Sequence, residues 1–227
     1  MQPAISIIIP VLDEADHIVG ALQALAPLRA RGVEVIVADG GSHDNTIALV
    51  TPLADRVIDA PRGRAAQMNA GATAARGDVL LFLHADTRLP ENADQFVIGG
   101  LAQSQRAWGR FDVRIDGAHR LLPVIAAAMN LRSRLTGIAT GDQAMFVRRE
   151  TFNALEGFPD IALMEDIAFA RRLKRVSRPL CLAARVTTSG RRWETRGVLR
   201  TIVLMWRLRL AYFLGGKPES LRRRYES

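Results

Sequence analysis

Leu80-Leu81-Phe82-Leu83-His84-Ala85-Asp86-Thr87 is an apolar run that stops at a carboxylate. A continuous apolar run of this kind is typical of a strand that is buried on both faces of a sheet. Ligands of open α/β sheets bind in the crevice beyond the carboxyl ends of the strands, so Asp86 is a candidate binding residue. A plain turn ahead of Pro90 is the alternative interpretation.

Short apolar segments alternate with helical patterns through the N-terminal part of the chain. The apolar segments predict strands at 6–11, 33–38, 56–59 and 79–83, and the spacing between them predicts helices at 15–28, 46–53 and 65–75. This βαβ order predicts an α/β fold with a mostly parallel, Rossmann-like central sheet and flanking helices.

Acidic residues follow three of these strands. Asp13 and Glu14 come after the first strand, Asp39 follows the second, and Asp86 follows the fourth. A sheet edge that gathers carboxylates needs a cation, and hard oxygen ligands favour Mg²⁺ or Mn²⁺. Such an ion takes one or two protein carboxylates and completes its shell with phosphates, so we expect a substrate with a diphosphate.

Two neighbouring segments fit the same site. On an extended strand His84 would point the same way as Asp86, as a metal ligand or a hydrogen-bond donor to the phosphates; a buried structural histidine is the alternative. The segment Arg62–Asn69 joins a turn to the start of a helix, where backbone N–H groups and guanidinium groups suit phosphate oxygens. A solvated arginine turn is its alternative interpretation.

The second half of the chain is less regular. We expect strands at 108–115 and 143–148, a helix or mobile segment at 121–135, and a helix that runs from Glu165-Asp166 to about residue 176. Acids in a first helical turn are favoured by the helix dipole alone. Two adjacent acids leave one free to accept a proton from an attacking hydroxyl.

Charge is distributed unevenly along the chain. Residues 1–170 carry 15 basic and 20 acidic side chains, a net charge of −5, whereas residues 171–227 carry 16 and 3, a net charge of +13. The single cysteine excludes an intramolecular disulfide and fits a reducing compartment. The N-terminus has no charged leader, so we expect a cytoplasmic protein.

The basic tail has two interpretations. Residues 198–214 include aromatic side chains but are interrupted by Arg200, Arg207 and Arg209, which argues against a membrane-spanning helix. An interfacial position on an anionic membrane is one interpretation, which would place the protein on the inner face of the membrane. A helix that packs on the body of the protein or on a partner in a homodimer is the other.

The ordered motifs resemble those of the inverting family-two glycosyltransferases, which have the GT-A fold. They are Ile-Ile-Ile-Pro-Val-Leu-Asp-Glu, Val-Ala-Asp-Gly-Gly-Ser-His-Asp-Asn-Thr, the Arg62–Gly71 segment, Leu-His-Ala-Asp-Thr and Met-Glu-Asp. The chain most resembles the small bacterial branch described as radical-SAM and selenodomain-associated transferases. The resemblance spans about residues 4–193 and implies a GT-A domain at 1–195; the charge pattern predicts a basic amphipathic helical tail at 196–227.

The resemblance also implies roles on the donor side. Pro10, Asp13 and Glu14 would border the nucleotide pocket, and Asp39 would contact the base. Arg64 and Asn69 would lie near the nucleotide. Asp86 matches the last acid of the family's Asp-x-Asp motif, which binds the divalent metal and the diphosphate, whereas His84 stands where that motif has its first acid.

On the acceptor side, Asp166 matches the general base, with Glu165 beside it. Gly141, Asp142 and Gln143 fall where relatives form part of the acceptor pocket. Arg192-Trp193 is similar to the end of the Gln-x-x-Arg-Trp motif of processive members, but Ser189 stands where glutamine is expected, which argues against a polymerising synthase. The expected reaction moves a sugar from a nucleoside diphosphate sugar to a hydroxyl of an acceptor, either a lipid or a small molecule.

Two other functions fit parts of the sequence. A sugar nucleotidyltransferase would need a glycine-rich loop and a lysine after the first strand, where this chain reads Val-Leu-Asp-Glu. A non-catalytic module that binds lipid or nucleic acid through the tail leaves the acidic strand ends unexplained, because carboxylates repel a phosphate backbone. We therefore expect no nucleic-acid partner.

Overall fold

The computed structural model describes residues 3–226 as an eight-stranded sheet with helices on both faces. The strands are β1 Ile5–Val11, β2 Glu34–Asp39, β3 Arg56–Asp59, β4 Val79–Phe82, β5 Thr87–Arg88, β6 Trp108–Asp116, β7 Phe146–Arg148 and β8 Leu180–Ser189. The helices are α1 Ile18–Gln23, α2 Ala26–Ala30, α3 Thr46–Val50, α4 Arg64–Ala74, α5 Ala93–Gln103, α6 Leu122–Thr136, α7 Arg149–Ala154, α8 Glu165–Val176, α9 Arg191–Arg196, α10 Val198–Phe213 and α11 Pro218–Glu226.

The strand order is β3-β2-β1-β4-β7-β6-β8-β5. Strands β3, β2, β1 and β4 are parallel, as predicted. Strand β7 pairs antiparallel with β4 and β6, β8 runs parallel to β6, and β5 pairs antiparallel with β8. The carboxyl ends of β1, β2 and β4 therefore meet at one edge, where the acidic residues gather.

Side chains of the central strands alternate between two cores. Ile7 and Ile9 of β1 pack in a core on one face of the sheet, whereas Ile8 packs in the core on the other face. The same alternation holds in β4, where Leu81 and Phe82 lie on opposite faces. Burial on both faces explains why these strands read as continuous apolar runs.

Two sequence predictions need correction. The helix expected at 15–28 is two short helices, α1 and α2, because Pro27 lacks the N–H that a continuous helix would need and instead lies in the first turn of α2. The strand expected at 143–148 begins only at Phe146, since Gly141–Gln143 forms a 3-10 turn. Of the two alternatives expected at 121–135, the helix is confirmed: α6 ends at Thr136, and Gly137 caps it in a left-handed conformation.

Helix α4 packs closely on β1 through Gly71, where an added Cβ would collide with the Ile8 side chain. We expect Gly71→Ala to lower the free energy of unfolding by about 1–3 kcal/mol because the packed core must shift. Gly99→Ala in α5 is the matched control, since an added Cβ there meets nothing and should stabilise the helix by about 0.5–1 kcal/mol. Urea denaturation of both variants measures this difference; equal stabilities would contradict the packing argument.

Candidate active site

A cleft of about 440 Å³ lies beyond the carboxyl ends of β1 and β4. Helices α8, α9 and α10 and the 3-10 turn complete its walls. Most of the residues predicted from the sequence line it: Pro10, Glu14, Arg64, His84, Asp86, Gly141, Asp142, Glu165, Asp166, Arg192 and Trp193.

Asp166 lies in the first turn of α8, and two backbone groups fix its carboxylate. Gly141 N donates to Oδ2 at 2.8 Å, and Ile167 N donates to Oδ1 at 2.7 Å. Met164, just before the helix, has a φ of 70°, which is rare for a residue with a long side chain. This backbone turn places both acids of α8 at the cleft.

Glu165 is almost fully buried beside Asp166, with 4% of its surface exposed. Burial raises the pKa of its carboxyl, and the adjacent charge of Asp166 raises it further, while Arg64 acts in the opposite direction. Arg64 Nη1 lies 3.7 Å from Glu165 Oε1, so the first residue of α4 meets the first residue of α8. Two helix N-termini and a guanidinium group therefore meet at the cleft, an arrangement that favours anions.

His84 is not on an extended strand, which corrects the sequence prediction. The chain leaves β4 at Phe82 and turns, with Thr87 N donating to His84 O at 3.0 Å. The His84 Nδ1 atom lies 3.4 Å from Asp142 Oδ1. Burial works to raise the pKa of Asp142, but the hydrogen bond and charge of His84, with Arg64 and Arg192, hold it below its usual range.

Gly141 lets the His84 ring approach the 3-10 turn. An added Cβ at this position would collide with His84 Nε2. Gly141 therefore has two roles: its N–H holds Asp166, and its missing side chain makes room for the imidazole. The turn itself is closed by Gln143, whose side chain is fully buried in a capping box with Thr140.

Asp86 faces the cleft on a loop that β8 holds in place. Thr87 pairs with Thr188, and Ser189 N donates to Asp86 O at 3.2 Å. Burial raises the pKa of Glu14, as does the nearby charge of Asp86, against the effects of Arg191, His17 and Arg64. The two carboxylates thus share one electrostatic environment at this end of the cleft.

Asp13 and Asp39 do not line the cleft but fix the loop that follows β2. Asp13 accepts a hydrogen bond from His43 N at 2.7 Å, and Asp39 accepts bonds from Gly41 N and Ser42 N at 2.9 and 3.0 Å. Asp13 also has a φ of 53°, which points to local strain in this turn. These contacts order the loop beside the cleft.

Asn69 and Gln143 also lie outside the cleft lining. Asn69 exchanges two hydrogen bonds with the backbone of Phe158, each 2.9 Å long, and so links α4 to the segment that leads into α8. Gln143 has no exposed surface. In the structure both residues support the walls of the cleft and do not face it.

The tail contributes cleft residues that the sequence did not reveal: Thr201, Met205, Arg209 and Tyr225. The Arg192 guanidinium lies 4.5 Å from the centre of the Tyr225 ring, and Arg196 Nη1 donates to Tyr225 O at 2.6 Å. Leu208 and Leu221 are buried against Met164 and Ile167. The tail therefore packs on the body of the protein, the second of the two interpretations of its sequence.

A metal ion would have few protein ligands here. Residues 3–226 contain no group of three or more histidine, cysteine or acidic side chains that could hold an ion alone. Asp86, with Glu14 nearby, fits instead an ion that takes one or two carboxylates and completes its shell with phosphates. His84 already lies against Asp142.

The family model for glycosyl transferase family 2 matches residues 6–156. The chain belongs to this family. It is an enzyme, a glycosyltransferase with a GT-A-like fold. The matched residues include Glu14, Asp86 and Asp142, whereas α8 and the tail lie beyond them.

Curated relatives include an uncharacterised glycosyltransferase of Mycobacterium tuberculosis, 28% identical over 202 residues, which cover 83% of this chain and 76% of the relative. An undecaprenyl-phosphate 4-deoxy-4-formamido-L-arabinose transferase of Pseudomonas paraeruginosa is 28% identical over 63% of this chain and 46% of its own length.

Solved structures show the same fold. Staphylococcus aureus TarS superposes with a TM-score of 0.66 at 18% identity over 84% of this chain and 61% of the TarS chain. The mannosyltransferase PcManGT of Pyrobaculum calidifontis, in complex with GDP-Man and Mn²⁺, gives a TM-score of 0.65 at 19% identity over 99% of this chain and 69% of its own.

The raised pKa of Glu165 predicts a pH-dependent stability. Between the ordinary carboxyl pKa of 4.5 and the raised value, the folded state binds more protons than the unfolded state, so stability falls as pH rises through this window. We expect Glu165→Gln to melt at a higher temperature than the wild type at pH 8, with the difference shrinking towards pH 5. Exposed Glu91→Gln is the control. A lower melting temperature for Glu165→Gln at pH 8 would contradict the argument.

Proposed function

We propose that the protein transfers a sugar from a nucleoside diphosphate sugar to a hydroxyl group of an acceptor, with inversion at the anomeric carbon. One observation carries the proposal: Asp166, held by two backbone N–H groups, faces the same cleft as Asp86. Such a cleft can hold a proton acceptor and a diphosphate at the same time. The solved TarS complex with UDP-GlcNAc and the PcManGT complex with GDP-Man support a donor of this class.

The donor would lie along the edge of the sheet. Pro10 and Glu14 would border the nucleotide, beside the loop that Asp13 and Asp39 hold in place, and Arg64 at the N-terminus of α4 would bind phosphate oxygens. Asn69 would act indirectly, through Phe158. Arg192 would balance phosphate charge from the opposite wall of the cleft.

A Mg²⁺ or Mn²⁺ ion would be held by Asp86 together with the donor's phosphates. Such an ion, when bound, neutralises the charge that develops on the leaving diphosphate. His84 contacts Asp142 and Gly141, so we assign it the positioning of this turn, with ligation of the ion as a secondary role.

The reaction is a single displacement in which the chain's residues move one proton. Asp166 removes the proton from the acceptor hydroxyl while the oxygen forms a bond to the anomeric carbon and the bond to the diphosphate breaks. The diphosphate leaves with the bonding electrons, beside Arg64 and Arg192. Glu165 orients the donor, and Asp142 and Trp193 line the acceptor side.

Asp166→Asn tests this assignment. We expect the rate of transfer to fall by about 10²–10⁴, because general-base catalysis is lost. Stabilisation of the variant by a nucleoside diphosphate with Mn²⁺ should persist in a thermal-shift assay, since the donor residues remain. Exposed Asp160→Asn is the matched control and should keep full activity.

Two results would oppose the proposal at different points. Near-normal turnover of Asp166→Asn would contradict the assignment of Asp166 as the general base. If no nucleoside diphosphate stabilises the wild type, with or without Mn²⁺, the proposal that the donor is a nucleoside diphosphate sugar is wrong.

The outward face of α10 suggests where the acceptor is presented. Its exposed large apolar side chains form one stripe at helical spacing: Leu199, Val203, Trp206, Leu210 and Phe213. Arg200 and Arg207 flank the stripe, whereas Arg209 turns to the cleft. No helix among residues 3–226 has the length and apolar character to cross a membrane. We infer that this face lies on an anionic lipid surface on the cytoplasmic side.

This placement connects with the rest of the proposal. The catalytic domain would comprise residues 1–195, and the tail 196–227 would complete the acceptor side. The order of the motifs supports membership of the radical-SAM-associated bacterial branch. The name of the P. paraeruginosa relative supports a lipid acceptor.

Trp206→Ser should weaken co-flotation with vesicles that contain phosphatidylglycerol, because the indole, 73% exposed, is the largest apolar group on the stripe. Phe96→Ser on α5 is the control, since Phe96 is exposed outside the stripe. Equal flotation of all three proteins would contradict the proposal that the stripe lies on a lipid surface. If the wild type sediments as a dimer and Trp206→Ser as a monomer, the stripe belongs to a homodimer interface instead.

A further inference from the structure

Two half-buried arginines near the cleft carry buried N–H groups that have no hydrogen-bond partner among the described residues. The Nε and Nη2 atoms of Arg132 and the Nε atom of Arg209 are buried, and none has a partner among the described residues. Neither arginine forms an ion pair within the described part of the chain. A buried donor left unsatisfied is unfavourable, and a buried unpaired charge is more so.

Arg132 lies within the electrostatic range of Arg209, Asp166 and Asp142. Burial and the like charge of Arg209 together lower the pKa of Arg132 to about 10, against the opposite effects of Asp166 and Asp142. Burial also lowers the pKa of Arg209, on which the same two acids act. Arg132 stays charged at neutral pH, so the fold holds this cation against the like charge of Arg209 without an ion-pair partner among the described residues.

Their place in the fold separates them from the donor. Arg209 lines the cleft from α10 together with Met205, and Arg132 lies one turn along α6 from Met129, another cleft residue. The charges of Asp142 and Asp86 both act on Arg192, whereas the acids that act on Arg132 and Arg209 are Asp166 and Asp142. Since Arg64 and Arg192 serve the diphosphate of the donor, Arg132 and Arg209 are available to a different anionic group.

We propose that Arg132 and Arg209 bind an anionic group of the acceptor, a phosphate or a carboxylate, and so place the acceptor's hydroxyl at Asp166. The planar guanidinium fork matches the geometry of both anions. The oxygens of a bound anion would accept hydrogen bonds from the N–H donors that have no partner. The anion also removes the repulsion between the two arginines. This inference rests on the proposed function, because it assigns the acceptor class of the same cleft.

The test uses calorimetry to measure the binding of inorganic phosphate to protein that is saturated with a nucleoside diphosphate and Mn²⁺. The nucleoside diphosphate then occupies Arg64 and Arg192, the cations of the donor site. We expect Arg132→Gln and Arg209→Gln each to weaken phosphate binding by about tenfold or more, as the loss of a charge-assisted hydrogen bond predicts. Arg175→Gln, an exposed position at the other end of α8, is the matched control and should bind phosphate like the wild type. Affinity for the nucleoside diphosphate should not change in any variant.

Melting temperatures in anion-free buffer separate binding from folding. Both site variants should melt above the wild type, because one charge of a repulsive pair is gone, and phosphate should no longer stabilise them. A melting temperature below the wild type would show that the guanidinium groups serve the fold, and would overturn the proposal. Phosphate affinity that is unchanged in the site variants, or lowered equally in Arg175→Gln, would overturn it as well.

A second arm distinguishes the source of the anion. Vesicles of phosphatidylcholine with phosphatidic acid replace free phosphate, and binding that depends on Arg209 and exceeds that of free phosphate assigns a lipid headgroup. Arg209-dependent binding of free phosphate alone assigns a soluble acceptor. If the wild type binds no nucleoside diphosphate, the proposed function fails, and the same phosphate comparison on nucleotide-free protein decides the anion site separately.

Discussion

The hydrogen bond from Gly141 N to the Asp166 carboxylate joins the parts of the cleft that the chain supplies separately. It connects the N-terminus of α8 to the 3-10 turn before β7. Because Gly141 has no Cβ, the His84 ring lies against that turn and brings the end of β4 into the same arrangement. The base, the turn and the strand edge are thus fixed relative to one another through one backbone amide.

The cleft holds charges that the fold alone would not favour. Burial raises the pKa of Glu14 and of Glu165, and each has another acid beside it. At the acceptor side the unfavourable charges are positive, since the like charge of Arg209 lowers the pKa of Arg132. Groups held in unfavourable states at one cleft are typical of a functional site, where stability is lost in exchange for preorganised charge.

The sequence predicted the parts whose burial follows a simple period. Strands β1, β2 and β4 are apolar on both faces, so their runs and the acids that follow them were visible. Strand β8 was missed because its exposed and buried positions mix Arg185 with threonines, and β5 was missed because it has only two residues. Their pairing depends on contacts about 100 residues apart in the chain, such as Thr87 with Thr188, which periodicity does not report.

Helix α10 shows why the site residues of the tail could not be assigned from sequence. Its arginines look alike in the sequence, but Arg209 turns to the cleft while Arg200 and Arg207 flank the outward apolar stripe. The packing of Leu208 against Met164 and Ile167 sets which face points inward. Because one rigid helix carries the cleft-lining face and the exposed stripe, a surface that holds the stripe also fixes the position of Arg209 beside the base. Docking and acceptor placement are therefore coupled through the orientation of a single helix.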